Sequence, residues 1–171
     1  MSFRANYDCN CLALRKAART ATRLYDNMLA SAGIRSTQFS ILAALSGDRA
    51  AVTIGDLASE LVMDNSTLGQ NLRPLEREGF VAITIGEDRR SRMASLTSAG
   101  VAKVKEAKVL WMGAQRAFEE GFGATSSEGM REYLRLFCDD AGRNELEKRW
   151  RLSDENENLL AAGDCSVLDT I

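Results

Sequence analysis

Residues 53–80, TIGDLASELVMDNSTLGQNLRPLEREGF, predict two short amphipathic helices with almost no chain between them. Thr53 is a good N-cap for the first helix, and Asp64 is a good N-cap for the second. Only Val62 and Met63 lie between the first helix, which extends to Leu61, and the second cap, so the chain must turn sharply there. This spacing is typical of a helix-turn-helix, and it restricts the fold more than any other feature of the sequence.

The second helix of this pair has two faces of different chemistry. Leu68, Leu72 and Leu75 recur at helical spacing and are predicted to face the core. The opposite side carries hydroxyl, amide and guanidinium groups, which are the groups that contact base edges and phosphates in protein–DNA interfaces. The predicted DNA-contacting residues of this helix are Ser66, Thr67, Gln70 and Arg73.

A β-hairpin is predicted immediately after the second helix. Residues 80–84 and 92–96 alternate as strands, and the turn between them concentrates charge. A helix-turn-helix followed by such a hairpin is a winged helix, so the charged tip lies where a wing meets DNA. The predicted wing residues are Asp88, Arg89, Arg90 and Arg92. A solvated charged loop is the weaker alternative in this context.

Helical patterns on both sides of the winged helix complete a mainly α fold (α+β). Apolar residues from Leu14 to Leu29 follow a helical period, and Thr97 caps a long helix with apolar positions spaced alternately by three and four. We call these positions the seam: Val104, Ala107, Trp111, Ala114 and Phe118. A repeat of 3.5 residues is typical of a coiled coil and predicts a helical dimerisation lobe. TSSE (125–128) predicts the start of another helix.

These patterns divide the chain into four parts. They are a first helix of the dimerisation lobe (1–35), a winged helix-turn-helix lobe (36–98), dimerisation helices (99–141) and an acidic C-terminal extension (142–171). The net charge is −2, but residues 139–171 carry 4 basic and 9 acidic side chains, whereas residues 64–105 carry 7 and 5. The acidic total therefore does not exclude DNA binding, because the local field acts on phosphates.

Composition argues against catalysis. The chain has no histidine, which excludes His-based metal sites and Ser-His or Cys-His nucleophile pairs. The four cysteines are too unevenly spaced for a zinc site, and no phosphate-binding glycine loop is present. We therefore expect no enzymatic activity, no cofactor and no metal. No apolar run is long enough to span a bilayer and no leader is evident, so we expect a soluble cytoplasmic protein without a membrane partner.

The order of these elements, with LRPLEREGFV (72–81) and DRRSRMASLTSAG (88–100), resembles the MarR family of bacterial winged-helix transcription regulators. The resemblance covers about residues 8–140. It implies a homodimer on double-stranded, pseudo-palindromic DNA, with recognition helices in successive major grooves and wing arginines in the flanking minor grooves. It also implies that Asp88 orients a neighbouring arginine and that Arg90 enters the minor groove.

Members of this family usually act as repressors that a small aromatic acid or phenol releases from DNA. The resemblance places the ligand where the dimerisation lobe meets the DNA-binding lobe, with Arg15 or Arg19 as a carboxylate partner. The candidate ligand-binding residues are Arg15, Arg19, Tyr25, Met28, Ile41, Leu45, Trp111 and Gln115. Simple core packing is the alternative for each apolar residue among them.

Two other functions stay open. Cys9 and Cys11 lie at the start of the first helix, where the positive end of the helix dipole favours a thiolate. The hydroperoxide-sensing branch of the family places its reactive cysteine in this helix, and the spacing makes Cys11 the redox candidate. The tyrosines of that branch correspond to Arg15 and Ser36 here, which departs from its pattern. A winged helix that binds only protein is the second alternative, although it would not need wing arginines.

Overall fold

The structure is a computed structural model of the chain, and it describes residues 9–47, 50–86, 88 and 91–152. The helices are α1 (Asn10–Leu29), α2 (Ser36–Ala44), α3 (Ile54–Glu60), α4 (Asn65–Arg77), α5 (Ser98–Phe122), α6 (Ala124–Cys138) and α7 (Asp140–Leu152), with a 3₁₀ turn at Ala30–Ala32. The strands are β1 (Val52–Thr53), β2 (Val81–Ile85) and β3 (Arg92–Leu96). The predicted mainly α fold with a winged helix is confirmed.

Residues 20–121 form one compact unit, which contains the winged helix, and the described residues 9–19 and 122–152 form another. The first unit has a continuous apolar core, to which α2, α3, α4, the sheet and α5 contribute. Its largest fully buried apolar side chains are Leu29, Ile41, Leu42, Leu57, Leu68, Leu72 and Leu75. Burying each of them stabilises the fold by about 1.5–3 kcal/mol. The three leucines of α4 lie in this core, as the periodicity predicts.

Side-chain caps begin both helices of the helix-turn-helix. The hydroxyl of Thr53 accepts the backbone N–H of Asp56 at 3.0 Å. Asp64 Oδ1 accepts the backbone N–H of Thr67 at 2.7 Å. Each cap satisfies a backbone donor that has no partner inside its own helix. Both predicted helix starts are therefore confirmed.

The turn between α3 and α4 depends on one unusual residue. Val62 has a φ of 51°, in the left-handed region that favours glycine, although it is β-branched. This conformation brings the N–H of Met63 to the carbonyl of Ala58 at 2.8 Å, which closes the end of α3. The sharp turn is thus made by backbone hydrogen bonds and not by a turn-forming residue type.

The sheet is antiparallel, with β3 between β1 and β2. Ala94 of β3 pairs with Val52 on one side and with Ile83 on the other. Its methyl group is fully buried. β1 therefore fastens the chain segment before α3 to the middle of β3, and the hairpin becomes part of the winged-helix core.

The first three seam positions of α5 pack against the core of the winged-helix unit. Ala107 is fully buried, and Val104 and Trp111 pack against the core. The ring of Trp111 stacks on Phe39 of α2, with centroids 6.1 Å apart. At these three positions the coiled-coil interpretation is corrected, because an apolar period marks a buried stripe without identifying what covers it. The dimerisation role of the rest of the seam stays a prediction.

The second unit contains α6 and α7. The predicted start of α6 at TSSE is displaced: the helix begins at Ala124 after Gly123, and the hydroxyl of the buried Ser127 donates to the Gly123 carbonyl at 2.8 Å. The predicted C-terminal extension begins as α7, and residues 153–171 lie outside the described part of the chain. α6 leaves a set of large apolar side chains exposed: Met130, Tyr133, Leu134, Leu136 and Phe137.

Candidate nucleic-acid interface and effector cavity

The polar face of α4 is open to solvent. All four predicted side chains on it are exposed: Ser66, Thr67, Gln70 and Arg73. The opposite face holds the three buried leucines, so the helix is anchored without using its polar groups. α4 can therefore present amide, hydroxyl and guanidinium groups to a duplex while its packing stays intact.

Thr67 also belongs to the cap of α4. Its hydroxyl donates to Asp64 Oδ2 at 2.7 Å, beside the backbone hydrogen bond to Asp64 Oδ1. The hydroxyl and then the N–H of Thr67 hold the pKa of the Asp64 carboxyl below its ordinary value. The stabilisation by this cap is therefore complete above the ordinary aspartate pKa and is lost as the pH falls through the lower value of the folded state. Because its proton is committed to the cap, the Thr67 hydroxyl has only lone pairs to offer another molecule.

The β2–β3 hairpin forms the predicted wing. At its tip the N–H of Gly86 donates to the Ser91 carbonyl at 3.0 Å, and the hydroxyl of Ser91 donates to the Asp88 carbonyl at 2.8 Å. Asp88 and Arg92 are both exposed. Arg89 and Arg90 lie outside the described residues, so their roles, and the orienting role of Asp88, stay predictions.

The base of the wing is tied to the start of α5. The hydroxyl of Thr97 donates to the Gly79 carbonyl at 2.6 Å and accepts the N–H of Gly100 at 3.0 Å, which confirms Thr97 as the predicted cap. A side chain on Gly100 would overlap the Phe80 carbonyl, so α5 can approach the wing this closely only through glycine. This contact sets the position of the hairpin relative to α5.

Lys103 of α5 makes a second contact with the base of the wing, at Phe80. Its ammonium group donates to the Ala32 carbonyl at 3.0 Å and lies 5.3 Å from the centroid of the Phe80 ring. It also pairs with Glu106 at 2.8 Å. Sequence reasoning missed this residue, because its partners are separated from it along the chain and only folding brings them together.

The winged-helix unit contains a cavity of about 360 Å³. Its lining residues come from α1, α2, α5 and the helix-turn-helix turn: Ala21, Thr22, Tyr25, Ser36, Thr37, Phe39, Ser40, Met63, Trp111 and Gln115. The stacked Phe39 and Trp111 make an aromatic wall. Hydroxyl and amide groups supply the polar part of the lining, so the cavity has the composition of a small-molecule site.

Three of the predicted ligand-binding residues line this cavity, namely Tyr25, Trp111 and Gln115. Ile41 and Leu45 are buried in the core instead, which agrees with the alternative that they serve only in packing. Met28 faces Gly113 of α5. Arg15 and Arg19 are exposed side chains of α1. Among the described residues, the lining contains no basic side chain that could pair with a carboxylate.

Sequence reasoning missed most of the polar lining. Ser36 and Ser40 lie one helical turn apart on α2, and this spacing is the signal that could have placed them on one face. The hydroxyl of Ser36 donates to Asp26 Oδ1 at 2.6 Å, and the hydroxyl of Ser40 donates to the Ser36 carbonyl at 3.0 Å. Met63 could not be assigned to a cavity before the turn that holds it was known.

The cysteines do not favour the redox alternative. Cys9, not Cys11, takes the capping position of α1, where its Sγ accepts the N–H of Leu12 at 3.4 Å. Cys11 is simply exposed. Ser36, at one position where the peroxide-sensing branch has a tyrosine, is instead hydrogen-bonded to Asp26.

In the described part of the chain, no three cysteine or acidic side chains converge on a metal-binding position. No helix in the same ranges combines the length and apolarity needed to cross a membrane.

Known proteins share this fold. The transcriptional regulator MosR of M. tuberculosis, solved in complex with DNA, matches with a TM-score of 0.71 and 31% identity, over 80% of this chain and 98% of MosR. CouR from Rhodococcus jostii RHA1, solved bound to p-coumaroyl-CoA, has a TM-score of 0.69 and 21% identity, over 81% of this chain and 97% of CouR, which shows the fold alone.

One curated relative matches by sequence. The transcriptional activatory protein BadR of Rhodopseudomonas palustris is 36% identical over 97 residues, and the match spans 49% of this chain and only 55% of BadR. No protein-family model matches the chain. Further solved structures with this fold are MarR-family regulators. With the winged helix in place and a similarity to MosR that spans almost all of that regulator, the chain belongs to the MarR family of winged-helix transcriptional regulators.

Proposed function

We propose that this protein is a DNA-binding transcription regulator that binds a pseudo-palindromic operator as a homodimer and performs no catalysis. The observation that carries the proposal is the exposed polar face of α4, which is held in place by three buried leucines beside the wing. α4 enters the major groove, where Gln70 and Arg73 reach base edges and phosphates. The wing lies along the DNA backbone and reaches the adjacent minor groove, because the negative potential there attracts its arginines. The MosR structure with DNA supports this proposal.

The second copy of the chain covers the exposed apolar residues of α6. Tyr133 is 77% exposed and Leu136 58% exposed, and three more large apolar side chains lie on the same helix. An apolar face of this size in water marks an interaction surface. A closed two-fold dimer buries the same patch of both copies and presents two α4 helices to two half-sites.

We expect sedimentation at micromolar concentration to give about twice the chain mass. Leu134→Glu with Phe137→Glu should shift the protein towards monomer, because two charges then enter an apolar interface. Ile85→Glu, which adds a charge at an exposed apolar position of the wing, is the control and should leave the mass unchanged. A wild-type monomer that binds operator DNA tightly would refute the dimer.

The cavity is the effector site. Its volume lies within the range of about 300–1,000 Å³ that small-molecule sites occupy. Met63 lines it and directly precedes Asp64, the cap of α4, so an occupant that moves Met63 acts on the start of the recognition helix. A small aromatic or phenolic effector releases the DNA if it binds the free dimer more tightly than the DNA-bound dimer. The protein then acts as a repressor whose operator is cleared by the effector.

The wing is tested by Arg90→Ala. A guanidinium group in a narrow A·T-rich minor groove adds affinity and little base identity, so binding to the operator and to unrelated DNA should weaken by similar factors. The slope of log K against log[salt] should flatten by roughly one unit for each lost contact. Arg116→Ala, at an exposed position of α5, is the control and should leave both quantities unchanged. Wild-type binding by Arg90→Ala on both duplexes would mean that the tip is only a solvated loop.

A further inference from the structure

We propose that the cavity selects neutral aromatic molecules that donate hydrogen bonds, such as phenols that carry a carboxamide, and rejects free aromatic carboxylates. This inference rests on the proposed function only in taking the cavity as the effector site. It concerns which chemical class binds there, and the direction of the hydrogen bonds in the lining carries it.

The two serine hydroxyls of α2 have no proton to offer a ligand. Ser36 Oγ lies 2.6 Å from Asp26 Oδ1, and a carboxylate can only accept, so Ser36 is the donor. Ser40 Oγ lies 3.0 Å from the Ser36 carbonyl, which can also only accept. A hydroxyl has a single proton and two lone pairs. Both serines therefore present lone pairs to the cavity.

The orientation of Gln115 extends the same pattern to Tyr25. The Nε2 of Gln115 lies 2.9 Å from the Glu119 carboxylate, which must accept, so the amide nitrogen points to Glu119. Its Oε1 then faces the hydroxyl of Tyr25 at 2.6 Å, and Tyr25 must be the donor. Tyr25 thus also commits its proton to the protein. Beside Ser36 and Ser40 a ligand meets hydroxyl oxygens that act only as acceptors, and a carboxylate cannot pair with them because it is itself acceptor-only.

The charges around the cavity also disfavour a ligand carboxylate. The N-terminus of α2 borders the cavity, and a helix N-terminus ordinarily attracts an anion. Here Asp26 already takes that position, since its Oδ1 accepts the N–H of Ser36 at 2.7 Å. A ligand carboxylate beside Ser36 would meet a charge of its own sign, and among the described residues no lining side chain is cationic. Moving an anion from water into such a site is unfavourable.

The remaining lining accommodates a ring. Trp111 and Phe39 form one wall, and Ala21 and Met63 add apolar surface. Aromatic pairs are most stable in offset or edge-to-face geometry, which a single ring can adopt against Trp111. A ring with a donor on its edge pairs with the serine oxygens, and the rotatable hydroxyl of Thr37 can donate to a carbonyl on the same ligand.

A matched pair of probes tests the selection: 4-hydroxybenzamide and 4-hydroxybenzoate, which share the phenol and differ in charge at neutral pH. In a Trp150→Phe protein, Trp111 is the only remaining tryptophan and reports binding to the cavity by its fluorescence. We expect the amide to bind at least about tenfold more tightly than the carboxylate, in titrations without DNA. Equal or tighter binding of the carboxylate, or no quenching of Trp111 by the amide at millimolar concentration, would overturn the inference.

A charge-gain variant gives an independent check. Ser40→Arg places a cation in the lining and should reverse the preference towards 4-hydroxybenzoate. Ala43→Arg adds the same charge to an exposed position of α2 outside the lining and should keep the preference for the amide. An unchanged preference in Ser40→Arg would contradict the electrostatic argument. DNA release is measured separately: if the amide binds selectively but does not release DNA, the selectivity stands and the proposed effector role fails.

Discussion

Alanine in place of Gln70 is expected to weaken binding to the operator by about 1–3 kcal/mol per half-site and to leave binding to unrelated DNA nearly unchanged. Gln70 lies in the middle of the exposed face of α4, and its amide can both donate to and accept from a base edge. Such paired hydrogen bonds distinguish one base from another. Non-specific binding depends on phosphates instead, and Gln70 carries no charge to lose.

The measurement requires an operator, which enrichment of bound duplexes from a random pool supplies. Wild type and Gln70→Ala are then titrated on that duplex and on a scrambled one at several salt concentrations. Asn27→Ala, which removes an exposed amide from α1, is the control and should bind both duplexes like the wild type. If Gln70→Ala lost equal affinity on both duplexes, the helix would position the protein on DNA without reading its sequence there.

Gly100→Ala is expected to lower the free energy of unfolding by about 3 kcal/mol, at the upper end of overpacking effects. The added Cβ would overlap the carbonyl oxygen of Phe80 and lie 3.0 Å from its carbonyl carbon and 3.1 Å from Leu96 Cδ2. The obstacle is backbone, which cannot rotate away as the end of a side chain can. α5 must therefore shift from the wing, and the hydrogen bond from the Gly100 N–H to Thr97 weakens with it.

Gly69→Ala is the matched control for this substitution. Gly69 lies within α4, and a Cβ there would meet nothing within 4 Å. Alanine should raise stability at this position by about 1 kcal/mol, through its higher helix propensity. Urea unfolding at a fixed protein concentration measures both variants, since the stability of the proposed dimer would depend on concentration. Gly100→Ala with wild-type stability would mean that α5 and the wing are not rigidly joined.

Local sequence determined the helix-turn-helix. The caps at Thr53, Asp64 and Thr97 act on backbone groups three residues away, so the residue type and its position suffice to predict them. The period of the α4 leucines likewise determines which face is buried, and with it which polar residues are exposed. For this reason the candidate residues of the recognition helix could be named in advance, and the hairpin after them followed from its alternating pattern.

Local chemistry misled where a partner distant in sequence decides the outcome. The 3.5-residue repeat of α5 predicted a coiled coil, yet Trp111 packs against Phe39 of the same unit. The capping box at TSSE was displaced because Gly123, one residue earlier than Ala124, ends the preceding helix with a φ of 83°. An apolar stripe or a capping sequence is compatible with several partners, and packing selects among them.

The sequence by itself therefore determined the helix-turn-helix and the hairpin after it, because these depend on residues close together in the chain. Only the tertiary structure decided the shape and chemistry of the cavity. Ser36 can only accept from a ligand because its hydroxyl donates to Asp26, ten residues earlier, and the Tyr25 hydroxyl donates to Gln115, ninety residues later. The direction of a hydrogen bond belongs to a pair of groups, and folding alone determines which pairs form.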